Sequence, residues 1–200
     1  MKRIGLSFVV LLFLAGCSLQ TSMETLTDEY TTADIPTIET ISQEMFLYHH
    51  NYDNMDRGNH DYTEKALVIE SLVEGFKISR GDVIFYHNEN GEKDISRIIA
   101  LPGEKIKITG GQVYINSQKL DAFYGFAHRL GLDKDRYFEM MDEAGNQYNK
   151  NGMREYFETN MEQIKLASDE YYLIDDDWMR GKMRVIKEQD IVGFVLGYTE

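Results

Sequence analysis

The chain has 200 residues with 34 acidic against 21 basic side chains, a formal net charge of −13, and one cysteine. That balance argues against a nucleic-acid binder and against a protein held broadly on anionic lipid by its overall charge. The single Cys17 leaves no internal disulfide, no thiolate mechanism within a mature domain and no cysteine-based metal site.

Lys2 and Arg3 precede an apolar run from Ile4 to Leu14, and Leu14-Ala15-Gly16-Cys17 follows at once. This is the pattern of a bacterial lipoprotein signal, with residues 1–16 removed and Cys17 as the lipid attachment site; an uncleaved anchor or an ordinary secretory signal is the alternative. The run falls short of the roughly 20 apolar residues that span a bilayer. Residues 17–44 are mostly Ser, Thr, Asp, Glu and Gln, with Pro36 in the middle and no Lys or Arg, and are predicted to be a solvated acidic tether. A single domain is then expected over 45–200, long enough for a real core.

Met45-Phe46-Leu47-Tyr48 is predicted as its first strand, a membrane-facing surface being the other reading of this apolar run. Arg80-Gly81-Asp82 leads into Val83-Ile84-Phe85-Tyr86, a β-branched and aromatic strand ended by the turn Asn88-Glu89-Asn90-Gly91. A second strand, Ile95 to Ala100, stops at Leu101-Pro102-Gly103, where proline removes a ladder donor and glycine permits a bend. Glu104 to Thr109 alternates polar and apolar residues, and Gly110-Gly111 turns it into Gln112-Val113-Tyr114-Ile115-Asn116. From 121 to 168 the period becomes helical, at Phe123, Phe126, Ala127 and Leu130, again at Arg136 to Met141, and as a third helix from Arg154 to Leu166. Local packing or a partner surface are the two readings of its aromatic and Met content.

Taken in order, Arg-Gly-Asp-Val-Ile-Phe, Arg-Ile-Ile-Ala-Leu-Pro-Gly-Glu and Gly-Gly-Gln-Val-Tyr-Ile-Asn resemble the blocks of the type I signal peptidases, and the likeness resumes at Tyr171 to Gly193. The resemblance implies a mainly β fold of antiparallel coiled sheets with 121–168 as a helical insertion. It also implies a serine nucleophile in a Ser-Met-x-Pro-Thr block, and a lysine general base directly before the Arg-x-Ile block. Here Arg97 is preceded by Ser96, and the family spacing leads back forty-two residues to Asn54, followed by Met55, with Arg57 at the proline position. An amide nitrogen has no usable nucleophilic lone pair and a hydroxyl is no base near pH 7, so the dyad reads as degenerate. Ser22-Met23-Glu24-Thr25 resembles the serine block with its proline deleted, but lies too early in the chain. Lys93 is set an odd number of residues from Ser96, which places it on the opposite strand face.

The family's last block, Gly-Asp-Asn, is matched by Asp175-Asp176-Asp177, with Asp176 at the aspartate, and the serines that support the lysine have no counterpart. The three carboxylates are expected to form a solvated acidic turn, because neighbours on an extended chain cannot all face one cation. His49, His50, Asp53 and His60 match no metal-ligand spacing, Trp178 reads as a packing residue, and no cofactor is expected. The expectation is a non-catalytic, lipid-anchored protein on the outer face of a bacterial membrane whose partners are exported or surface proteins, held through extended segments. A serine peptidase with a non-standard arrangement is the alternative, and a structural lipoprotein contacting a partner through its inserted helices is a third.

Overall fold

The computed structural model describes residues 24–73 and 75–200, so Cys17 and Ser22 lie outside the described residues. Among the described residues twelve strands form two sheets. Strands β1 (Thr25–Thr27), β2 (Met45–Tyr48), β3 (Ala66–Ser71), β4 (Val83–His87), β5 (Lys93–Ala100), β6 (Lys105–Thr109), β7 (Gln112–Ile115) and β8 (Gln118–Asp121) precede helices α1 (Lys134–Glu143) and α2 (Lys150–Phe157). Strands β9 (Met161–Lys165), β10 (Glu170–Ile174), β11 (Met183–Lys187) and β12 (Ile191–Thr199) follow. The seven-stranded sheet runs β11-β10-β5-β4-β12-β3-β2 and the five-stranded sheet β1-β8-β7-β6-β9. The mainly antiparallel β class expected from the sequence is the class observed.

Strands β4 and β5 sit centrally because every residue from Val83 to Tyr86 and from Ile95 to Ala100 is buried, so both faces of this hairpin are covered. Strand β6 alternates strictly, with Ile106 and Ile108 inward, and its inner face joins Val113, Ile115 and Leu120 in a core that α1 and α2 close with Tyr137, Met153 and Phe157. Trp178 packs in the same core.

The insertion departs from its helical reading. Residues 123–130 form turns and contribute to two isolated bridges, at Phe126 and Arg129, with Leu130 at φ 49°. Their apolar side chains reach the core from irregular backbone. The third expected helix divides: α2 ends at Phe157, and Met161–Lys165 becomes an edge strand beside β6. Asn149 caps α2 by accepting from the Gly152 amide, which moves the helix start four residues upstream of its expected position.

The acidic segment is no free tether from Glu24 onward. Strand β1 pairs in parallel with β8, Asp28 accepts a hydrogen bond from Tyr124 Oη at 2.5 Å, and Pro36 O and Ile38 N bond to Tyr198. The segment thus straps both sheets together through backbone pairing, which composition does not reveal. Two glycines admit it. A Cβ on Gly81 would strike Thr31 Oγ1, and one on Gly197 would strike the Pro36 carbonyl. Gly197→Ala is therefore expected to dislodge residues 36–38 while leaving the β-sheets intact, so that limited proteolysis cuts between 24 and 44 much faster than in the natural protein.

Candidate active site

The sequence blocks meet in space. Arg80 donates to Glu104 at 2.7 Å and to the Ile99 carbonyl, which fastens the Arg-Gly-Asp block to the Leu-Pro-Gly-Glu block. Glu104 in turn accepts from the Leu101 amide at 2.7 Å, and Gly103, after Pro102, takes φ 77° in the turn. Asp82 accepts from the Ser79 amide at 2.7 Å, closing the turn at Gly81.

Beneath this turn Arg97 is 2% exposed and fully engaged. Its guanidinium grips Asp176 with two bonds of 2.6 and 2.5 Å, donates to Gly81 O at 2.7 Å and approaches Tyr62 Oη at 3.4 Å. Burial pushes the Asp176 carboxyl up, but the Arg97 charge and its bonds outweigh this and hold it below the usual carboxylate range. Burial pushes the Tyr62 phenol up to about 12, so it stays a neutral partner.

Asp175, Asp176 and Asp177 are all buried, against the expectation of a solvated turn. Successive side chains do point in different directions, and each meets its own arginine: Asp175 meets Arg184 at 2.8 Å, Asp176 meets Arg97, and Asp177 meets Arg129 at 3.0 Å. The Met55 thioether, fully buried, accepts from the Asp176 amide at 3.4 Å.

Asn54 and Ser96 lie near each other, linked through the Ile95 carbonyl. Asn54 accepts from His50 Nε2 at 2.6 Å and reaches the Ile95 carbonyl, next to Ser96, at 3.4 Å. Ser96, fully buried, donates its hydroxyl to Asp175. Asp175 also accepts from the Lys182 amide and from Arg184, each at 2.8 Å. Burial raises its carboxyl above the ordinary value, with Arg184 and Ser96 opposing. Gly181 sits against the Asp175 Cβ, where a side chain would collide. Lys93 is exposed whereas Ser96 is buried, and its ammonium lies over the Phe85 ring.

A hollow of 230 Å³ opens over Asn54 and Asp175, walled by Tyr52, Lys93, Asp94 and Arg184 among others. His50 points inward to Asn54, and His60 pairs with Asp56 at 3.1 Å. Among the described residues no group of three or more His, Cys, Asp or Glu is placed to hold a metal ion.

Sequence reasoning missed His128. It is buried, donates from Nδ1 to the Phe126 carbonyl at 2.9 Å, and accepts at Nε2 from Arg57 at 2.8 Å. Burial, then the Arg57 charge, lowers its pKa to about 4. Because the folded value lies below the unfolded value near 6.5, the neutral ring's contribution is complete above that pH and is lost as pH falls toward 4. Urea denaturation is expected to show stability declining across this window by on the order of 3 kcal/mol, and His128→Gln should flatten the decline.

The model of the family described as signal peptidase, peptidase S26, matches residues 6–193. The chain belongs to the S26 signal peptidase family. Members are serine signal peptidases, associated with the membrane and with an extracytoplasmic active site. Signal peptidase I U of Bacillus subtilis is 26% identical over 137 residues, covering 66% of this chain and 63% of that protein. Signal peptidase I of Leptolyngbya laminosa is 32% identical over 98 residues, covering 41% and 48%. The chain thus spans less than two thirds of the length of these curated relatives. A signal peptidase I crystal structure from Enterococcus faecalis aligns at TM-score 0.43 and 19% identity, over 60% of this chain and 97% of that one. Among the described residues no helix is long and apolar enough to cross a membrane.

Proposed function

We propose that this S26 signal peptidase homologue is non-catalytic, is anchored by lipid at Cys17 on the outer face of a bacterial membrane, and holds extended segments of exported proteins without cutting them. The observation that supports this is a coupled set of residues. Where the resemblance puts serine, lysine and the glycine of Gly-Asp-Asn, this chain has Asn54, Ser96 and Asp175, and the last two are bonded to each other. The carboxylate fills space beside the short serine where a long amine is expected. Meanwhile Arg97, Asp176, Gly81 and Met55 retain the scaffold around it. Pairing with an extended segment needs only backbone donors and acceptors, so such a scaffold can bind what it cannot cleave.

The Ser96–Asp175 bond also motivates a second reading, a serine peptidase with a carboxylate base. Chemistry argues against it. A carboxylate already engaged by Arg184 and a backbone amide is a poor acceptor for a serine proton, and the Ser96 hydroxyl has no exposure.

The test is to titrate the full-length protein, in detergent and phospholipid, with an exported precursor bearing an Ala-x-Ala segment. Saturable binding with the precursor left intact is expected. Cleavage that Ser96→Ala abolishes would establish the second reading, and absence of binding would remove peptide holding.

A further inference from the structure

The outer face of the five-stranded sheet is cationic although the protein is strongly acidic. Lys105 and Lys107 on β6, Lys119 on β8 and Lys165 on β9 are all exposed, and none of them forms an ion pair among the described residues. The register sets them in rows. Lys107 stands opposite Tyr114, which stands opposite Lys119, and Lys105 stands directly opposite Lys165. Like charges facing each other across a strand pair weaken the sheet, so the fold itself gains nothing from this arrangement. Their inner neighbours, Ile106, Ile108, Val113 and Leu120, supply the packing. A hollow of 380 Å³ lies among Lys105, Lys107, Thr109, Tyr114, Ser117 and Gln163. The nearby carboxylates are Asp121 and Glu162, at or near strand ends, and Glu24, which accepts from Gln118 at 2.9 Å on the sheet edge.

We propose that this lysine face docks on an anionic lipid surface, with a phosphate headgroup seated in the hollow beside Tyr114. Three observations select that occupant. The face is an open sheet rather than a cleft. Its cations are lysines, whose hydrated point charges on flexible stems suit a diffuse layer of phosphates better than bidentate recognition. The central tyrosine is a residue type that settles at headgroup level.

The path of the chain adds a fourth. Strand β1 is the edge of this same sheet, and the apolar run Ile4–Leu14 ends ten residues before Glu24. Ten residues reach at most roughly 35 Å. The N-terminal membrane attachment proposed above, on which this fourth argument rests, would keep this sheet close to the bilayer. The net charge of −13 does not forbid docking, because at physiological salt charges more than about 8 Å away are largely screened and the local face dominates. This inference is independent of peptide holding.

The test uses the full-length chain reconstituted in two vesicle types, phosphatidylcholine alone and phosphatidylcholine with about one third phosphatidylglycerol, so that the N-terminal attachment is common to both. Amine acetylation followed by mass spectrometry reads each lysine. Labelling of Lys105, Lys107, Lys119 and Lys165 is expected to fall about fivefold or more in the anionic vesicles. Lys77 and Lys187, which belong to the other sheet's side, should be unchanged, and about 0.5 M salt should remove the protection. The Lys107→Gln/Lys119→Gln variant, altered only on the surface, should lose the protection at Lys105 and Lys165 while keeping the natural circular-dichroism spectrum. Equal labelling in the two vesicle types overturns the proposal. So does protection by inorganic polyphosphate in neutral vesicles with none from phosphatidylglycerol.

Discussion

Arg97→Ala is expected to lower the stability of the fold by about 3–5 kcal/mol, a large part of the 5–15 kcal/mol that typically separates folded from unfolded domains. The substitution leaves the Asp176 carboxylate, 1% exposed, with its principal counter-charge gone. It also opens a gap beside Phe123 and Tyr124, whose rings lie 4.9 and 5.7 Å from the guanidinium. Removing both charges together, as Arg97→Met/Asp176→Leu, should recover most of the loss, because the main cost in the single variant is the stranded ion. Chemical-denaturation midpoints for the two variants measure this directly. If the double variant is as unstable as the single, the pair stabilises by geometry rather than by mutual neutralisation.

The neighbouring aspartate should behave oppositely. The Asp176 carboxyl is depressed, so its contribution is complete above the unfolded carboxylate pKa near 3.9 and is lost as pH falls below it. The Asp175 carboxyl is raised by burial, so the folded state favours its neutral form, and that preference is lost as pH rises through the folded value. At pH 7 Asp176→Asn should destabilise strongly while Asp175→Asn should be neutral or stabilising. The gap between them should narrow as both carboxyls protonate.

What the sequence reveals, and what it hides, follows from the range of the interactions. Val83–Tyr86, Ile95–Ala100 and the alternation of Lys105–Thr109 are legible because burial of one or both faces imposes its period directly on the chain. The turn glycines are legible for the same local reason. Phe123, Phe126, Ala127 and Leu130 have helical spacing by coincidence. Phe123 and Tyr124 pack beside the distant Arg97 and Arg57, and Leu130 takes a left-handed φ that no continuing helix allows. The strap at 24–38 is invisible to composition because polar residues hold it through backbone pairing with Lys119 and Tyr198 and through Asp28. The aspartate triplet fails as a solvated turn because two of its cations stand far along the chain, Arg97 at 79 residues and Arg129 at 48 residues. Counted locally, three carboxylates look solvated. Asn54 bonds to the carbonyl of Ile95, next to Ser96, whereas nothing short of the fold shows that the Ser96 hydroxyl meets Asp175.

On the non-catalytic reading proposed above, that carboxylate decides what a reintroduced dyad would need. Asn54→Ser/Ser96→Lys returns the two dyad residue types, yet it is expected to leave precursor cleavage undetectable. An amine introduced at position 96 would sit where the Ser96 hydroxyl now meets Asp175, and an adjacent carboxylate favours the charged ammonium, which cannot accept a serine proton. Adding Asp175→Gly removes that partner and leaves the amine buried among β5 and β10, where desolvation lowers its pKa toward the working range of a general base. Asn54→Ser/Ser96→Lys/Asp175→Gly should therefore cut an exported precursor at least about 100-fold above the natural protein, the scale that a positioned general base contributes, while Asp175→Gly alone stays inert. If the triple variant folds, by circular dichroism and urea midpoint, yet does not cut, Asp175 is not what blocks the base, and the disabling change lies elsewhere in the site. The most direct suspect is then Arg57, which stands at the proline position of the serine block and turns inward to His128, so the nucleophile's own loop would be held in a different path.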